Sequence, residues 1–171
     1  MALAAPGQSP SFVISRVLDA PRELVWKCFT DVAHMKNWWG PKGAKIIKAE
    51  MDLRPGGTYH YAMQVGDGPV MWGKFVFREV TPPERIHFVN SFSDEQGGVT
   101  RHPLAPTWPL QMLSTFTFEE VEGGKTKFTV TWAPLDPTAE EREVFDAGHA
   151  SMQGGWSGTL DQLAAYLATA K

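Results

Sequence analysis

Apolar and polar positions alternate with period two over most of this chain, and that pattern reads as β-strand. Phe12–Leu18 places Val13 and Val17 on one side and Phe12, Ile14 and Leu18 on the other, a first strand buried on much of both faces. From Lys45 the alternation resumes, with Ile47, Ala49, Met51 and Leu53 sharing one face until Pro55-Gly56-Gly57 turns the chain. Thr58–Val65 follows, with Tyr59, Tyr61, Met63 and Val65 on one side and Thr58, His60 and Gln64 on the other. Gly66-Asp67-Gly68 is a hairpin signal. Met71–Val80 returns, Thr81-Pro82-Pro83-Glu84 turns, and Ile86, Phe88, Asn90 and Phe92 alternate in the next strand. Met112–Glu120 and Thr126–Trp132 make a last hairpin around Glu122-Gly123-Gly124.

The period lengthens to that of a helix in two places. After the first strand, Asp19-Ala20-Pro21 predicts a helix start, with Asp19 or Ala20 near the cap and Pro21 in the first turn. Leu24, Val25, Cys28 and Phe29 form its inner face. Thr30-Asp31 opens a second short helix through Trp38, which Gly40-Pro41 stops. The last fifth of the chain, from Thr138 to Lys171, predicts one long helix of roughly thirty residues, about 45 Å. Phe145, Met152, Trp156, Leu160, Leu163 and Leu167 make its apolar stripe, and His149 falls on it. Gly148, Gly154, Gly155 and Gly158 interrupt this helix, each at about 1 kcal/mol relative to alanine. Close packing on a sheet would explain them, and so would space left open for a ligand. The Gly154-Gly155 pair is the expected bend.

A seven-stranded antiparallel sheet twists and curls, and a long helix laid into it leaves a space beneath. The predicted architecture is therefore α+β, a helix-grip fold with two short helices after the first strand. Residues 12–171 read as one domain and residues 1–11 as a disordered tail. Asp94–Pro109 is the one long irregular segment, a candidate lid or binding loop carrying Arg101 and His102.

Composition narrows the chemistry. A net charge of −3 with scattered basic residues argues against nucleic acid. No window suits a membrane helix, and the single Cys28 forbids an intramolecular disulfide, which favours a cytoplasmic setting. His34, His60, His87, His102 and His149 show no metal-ligand spacing, so no metal and no cofactor are expected. His149 is either a satisfied core histidine or a polar anchor and acid–base group. Glu141, Glu143 and Asp146 suit a solvated face complementing the helix dipole. Arg101 and His102 are either solvated or positioned to meet an anionic group. Cys28 lies on an inner helix face and reads as packing.

Seven tryptophans are many for 171 residues, and aromatics populate the strands and the long helix. The candidate ligand contacts are Trp39, Tyr59, Tyr61, Trp72, Phe88, Asn90, Phe116, His149, Met152 and Trp156. Aromatics and Met supply the apolar wall, and the Tyr hydroxyls, Asn90 and His149 supply sparse polar points.

Five local motifs, in order, carry a resemblance. They are Asp19-Ala20-Pro21-Arg22-Glu23-Leu24-Val25-Trp26, Trp38-Trp39-Gly40-Pro41, Arg54-Pro55-Gly56-Gly57, Pro83-Glu84-Arg85-Ile86, and Gly155-Trp156-Ser157-Gly158-Thr159-Leu160-Asp161-Gln162-Leu163. The chain resembles the START-like (SRPBCC, Bet v 1-like) superfamily, in the branch of the C-terminal domain of the activator of Hsp90 ATPase. The resemblance implies the helix-grip fold and three functional classes: a carrier or sensor of a small apolar molecule, a cyclase- or hydrolase-type enzyme, or a chaperone-interacting protein. The enzyme would need an acid–base pair, and only His149 is a candidate member. The chain leaves no room for the separate N-terminal domain of eukaryotic activators, which counts against Hsp90 activation. Exposed strand edges are compatible with a homodimer.

Overall fold

A computed structural model describes residues 12–40, 43–102 and 105–170. The expected tail 1–11, Pro41 of the helix stop and Lys171 lie outside the described residues. In chain order the elements are β1 (Phe12–Leu18), α1 (Arg22–Thr30), α2 (Val32–Met35), β2 (Ala44–Met51), β3 (Thr58–Val65), β4 (Met71–Thr81), β5 (Arg85–Ser93), β6 (Val99–Thr100), β7 (Met112–Val121), β8 (Lys125–Pro134), α3 (Ala139–Ala147) and α4 (His149–Ala170). The antiparallel sheet runs β1-β8-β7-β5-β4-β3-β2, and the two-residue β6 pairs with β5 off that path. Seven strands curl into a half-barrel beneath the C-terminal helix, the α+β helix-grip arrangement that the alternation predicts.

Local chemistry fixes the ends. Pro21 is the N-cap of α1 rather than part of its first turn, with extended backbone at φ −63° and ψ 150°. Asp31 caps α2, accepting from the Ala33 amide at 2.9 Å. In β2 the register against β3 shifts between Ile46 and Lys48. This bulge turns Ile47 outward, 49% exposed, so it does not share a buried face with Ala49 and Met51.

The C-terminal helix is two helices. Thr138 and Glu141 form a reciprocal capping box at the start of α3. The chain then breaks at Gly148, with φ −92° and ψ 2°, and not at Gly154-Gly155, through which α4 runs uninterrupted. Packing accounts for the position. A Cβ on Gly148 would lie 3.3 Å from the Trp108 ring and 3.2 Å from the Val144 carbonyl oxygen. At Gly154, Gly155 and Gly158 a Cβ would meet nothing within 4 Å, so close helix-to-sheet packing does not require those glycines.

Leu160, Leu163 and Leu167 seal the closed end of the interior, each no more than 1% exposed. Beside them Phe29 stacks on Phe128 at 4.5 Å and meets Phe116 edge-on at 5.1 Å. These contacts run from α1 across β7 and β8. They fill one half of the sheet's concave side, and the other half is open.

A candidate ligand cavity under the C-terminal helices

The open half leaves a cavity of about 760 Å³, open to solvent beside the exposed Ala147, Ser151 and Gly155, between the inner faces of β3, β4, β5 and β7, the helices α3 and α4, and the segment around Ala105–Pro109. Strand alternation builds the floor: Phe88, Asn90 and Phe92 from β5, Gly73 and Phe75 from β4, Met112 and Phe116 from β7. Tyr61 stands opposite Gly73 in register, and a Cβ on Gly73 would lie 2.5 Å from the Tyr61 hydroxyl. Glycine there is what lets the tyrosine ring lie flat across the neighbouring strand. The roof is Met152, Gly155, Trp156 and Thr159 on α4, with Val144 and Ala147 on α3. Trp39 meets Trp156 at 5.9 Å and Phe75 at 5.6 Å, so the segment just after α2 supplies a side wall.

One wall is held electrostatically. Arg101 pairs with Glu141, whose side chain is 7% exposed, and reaches the Pro106 and Trp108 carbonyls at 3.5 Å. Burial pushes the Glu141 carboxyl up. Hydrogen bonds from Arg101 and the Thr138 and Leu110 amides, with the Arg101 charge, outweigh it and hold the group below its usual range. The tie places Trp108 and Pro109 on the cavity and fixes them to α3. Burial lowers the His102 pKa, and its ring sits 4.5 Å from Phe92. Burial also pushes the Tyr61 hydroxyl up to about 12, with the Trp39 indole opposing.

A family model described as "Activator of Hsp90 ATPase homolog 1-like protein" matches residues 19–168. The chain belongs to the Activator of Hsp90 ATPase homolog 1-like family. No protein of curated function matches it by sequence. Among solved structures, this family member is similar to a protein from Mycobacterium smegmatis, at 26% identity and TM-score 0.73 over 92% of this chain and 90% of that one. A solution structure from Arthrobacter aurescens is 25% identical, with TM-score 0.73, over 93% and 86%. A Rhodobacter sphaeroides protein shares the fold at 18% identity and TM-score 0.76, over 98% of both chains.

Of the ten residues singled out by sequence, the fold brings Trp39, Tyr61, Trp72, Phe88, Asn90, Phe116, Met152 and Trp156 to the cavity wall. Trp72 also stacks on His60 at 5.0 Å and carries Lys48 over its ring. Tyr59 and His149 are placed elsewhere. Tyr59 is fully buried, stacked on Tyr61 at 4.8 Å with Phe75 at its edge, so Tyr61 and not Tyr59 borders the space. His149 opens α4 just past the Gly148 break, edge-on between Phe12 at 5.8 Å and Phe145 at 5.1 Å. Its Nε2 is buried without a partner among the described residues.

Three other histidines make separate hydrogen bonds: His34 with the Tyr166 hydroxyl, His60 with Ser93, His87 with Thr115. Among the described residues no cluster of His, Cys, Asp or Glu could hold a metal ion, and no helix is long and apolar enough to cross a membrane. Glu143 and Asp146 are solvated, whereas Glu141 is not part of that face but is buried and ion-paired. Cys28 is fully buried, and burial pushes its thiol up to about 11.

Sequence reasoning missed Met63, Met71, Phe75, Met112, Trp108 and Trp132 as wall residues. Phe75 was within reach, because it alternates with Gly73. Trp108 was not, because its position depends on the Arg101 tie to a helix forty residues on.

Proposed function

We propose that this protein binds a small, largely apolar molecule in the cavity between the sheet and α4, as a carrier or sensor. The observation that carries this reading is a space of about 760 Å³, walled by aromatic and methionine side chains, inside an otherwise closely packed interior. Native cores leave few voids larger than a water molecule. A ligand hiding about 200–300 Å² of apolar surface would gain at most 5–8 kcal/mol at roughly 25 cal/mol per Å². That gross gain corresponds to a Kd of about 1 μM to 0.2 mM, and association costs weaken it further. A cytoplasmic setting belongs to the same reading, supported by a lone cysteine buried in its reduced form.

A thermal-shift panel of aromatic polyketides, isoprenoids, steroids and fatty acids tests it. A ligand at a hundred times its Kd stabilises the native state by about 2.7 kcal/mol. In a domain of this size that raises Tm by about 5–10 °C. A flat panel would sink the reading and turn attention to a chaperone partner, the activity named in the family's description.

A further inference from the structure

Resting on the reading of the cavity as a ligand site, the wall chemistry narrows what it takes. We infer that the ligand is electrically neutral and carries a hydrogen-bond acceptor, a carbonyl or ether oxygen, that meets the side-chain amide of Asn90.

Two observations carry this. Among the described residues the cavity wall contains no Lys, Arg, Asp or Glu. Its titratable side chains are His102, pushed toward the neutral ring by burial, and Tyr61, held protonated. The nearby Arg101 is committed to Glu141. A carboxylate or ammonium placed here would be stripped of water without a counter-charge, and isolated buried charges are strongly disfavoured.

The second observation is the Asn90 amide. It lies on the inner face of β5 between Phe88 and Phe92, opposite Phe75 on β4 and Met112 on β7. Its Oδ1 accepts from the hydroxyl of Ser114, which is fully buried. That bond occupies the carbonyl end. The two N–H groups of Nδ2 have no protein partner among the described residues, so the amide presents donors in an aromatic wall. A donor held in apolar surroundings selects for an acceptor, since leaving it unpaired costs more than a typical net hydrogen bond returns.

Three naphthalene fluorophores test the inference on the full chain by titration. N-phenylnaphthylamine is neutral and lacks a carbonyl, anilinonaphthalene sulfonate is the same scaffold with a fixed negative charge, and prodan is neutral with a ketone. The neutral pair binds with enhanced emission, and the sulfonate binds on the order of a hundredfold more weakly than phenylnaphthylamine. Asn90→Leu weakens prodan relative to phenylnaphthylamine by roughly five- to tenfold, the equivalent of one hydrogen bond.

Sulfonate binding as tight as phenylnaphthylamine binding would overturn the neutrality claim while leaving the cavity reading intact. An unchanged prodan-to-phenylnaphthylamine ratio in Asn90→Leu would overturn the role of the amide. Should that variant not fold, the emission of prodan on the native protein decides. A red-shifted, hydrogen-bonded ketone supports the inference, and an alkane-like spectrum refutes it. If none of the three binds, the cavity reading fails and this inference with it.

Discussion

Gly155→Leu separates the two explanations for glycine in a helix that could do without it. The residue borders the cavity, and a Cβ there meets nothing within 4 Å. A leucine side chain therefore projects into open space without displacing backbone. The helix gains about 0.8 kcal/mol in propensity from the exchange, which in a domain of this size raises Tm by about 2–3 °C. A bound ligand must then compete with that side chain. Forcing extra methylenes into a filled site costs about 1–3 kcal/mol, or five- to more than a hundredfold in Kd. Gly154→Leu is the control, since Gly154 has equal room but does not line the cavity. It should give the same gain in Tm and no change in binding. The assay is a melt of each variant, followed by fluorescence titration with phenylnaphthylamine. A Kd for Gly155→Leu equal to wild type would refute the placement of the ligand beneath α4. A lower Tm would refute the claim that the helix has room there.

Three further outcomes follow from the geometry. Glu141 has a depressed pKa in the folded chain, so the stability it contributes is fully present above its ordinary value of 4.5 and is lost as pH falls through the lower, folded value. Denaturant melts in that acid window should show a shallower pH slope for Glu141→Gln, and at neutral pH Arg101→Met should cost about 1–2 kcal/mol. Native Cys28 should resist a thiol reagent at neutral pH and label only as fast as the chain opens, because its thiol is buried and shifted to about 11. Ile47→Thr should change stability by less than about 0.5 kcal/mol in urea melts, because the bulge holds it outward; Ile86→Thr, fully inside, should cost several times more.

What could be read from the sequence was what is local. Alternation in β3, β5 and β7 is a property of neighbouring residues, so the strands and the Asp31 cap were legible, whereas which face of each strand is concave was not. The bulge at Ile47 carries no glycine or other local mark, and one extra residue inverted the assignment of that position. Likewise the stripe of the C-terminal helix located its buried side but not its break. Three glycines sit where an added Cβ would meet nothing, and the helix turns at the fourth, where the Trp108 ring arrives from a distant segment. Tyr59 and Tyr61 share a face by alternation, and no pattern distinguishes the one enclosed by packing from the one on the open space. The strands that build the cavity wall were thus legible, but not which of their faces it uses, nor the part that depends on Arg101 and Glu141.

The pairing of β1 with β8 also sets an order of events during synthesis. Phe12 pairs with Trp132 and Leu18 with Thr126, so β1 has no strand partner until more than a hundred further residues have been made. Until then Phe12, Ile14 and Leu18 are without their sheet neighbours. Pairings this distant slow folding, because the chain between them must be closed before the contact forms. β1 is thus made well before the strand it pairs with, and α1, which packs on β7 and β8, waits with it.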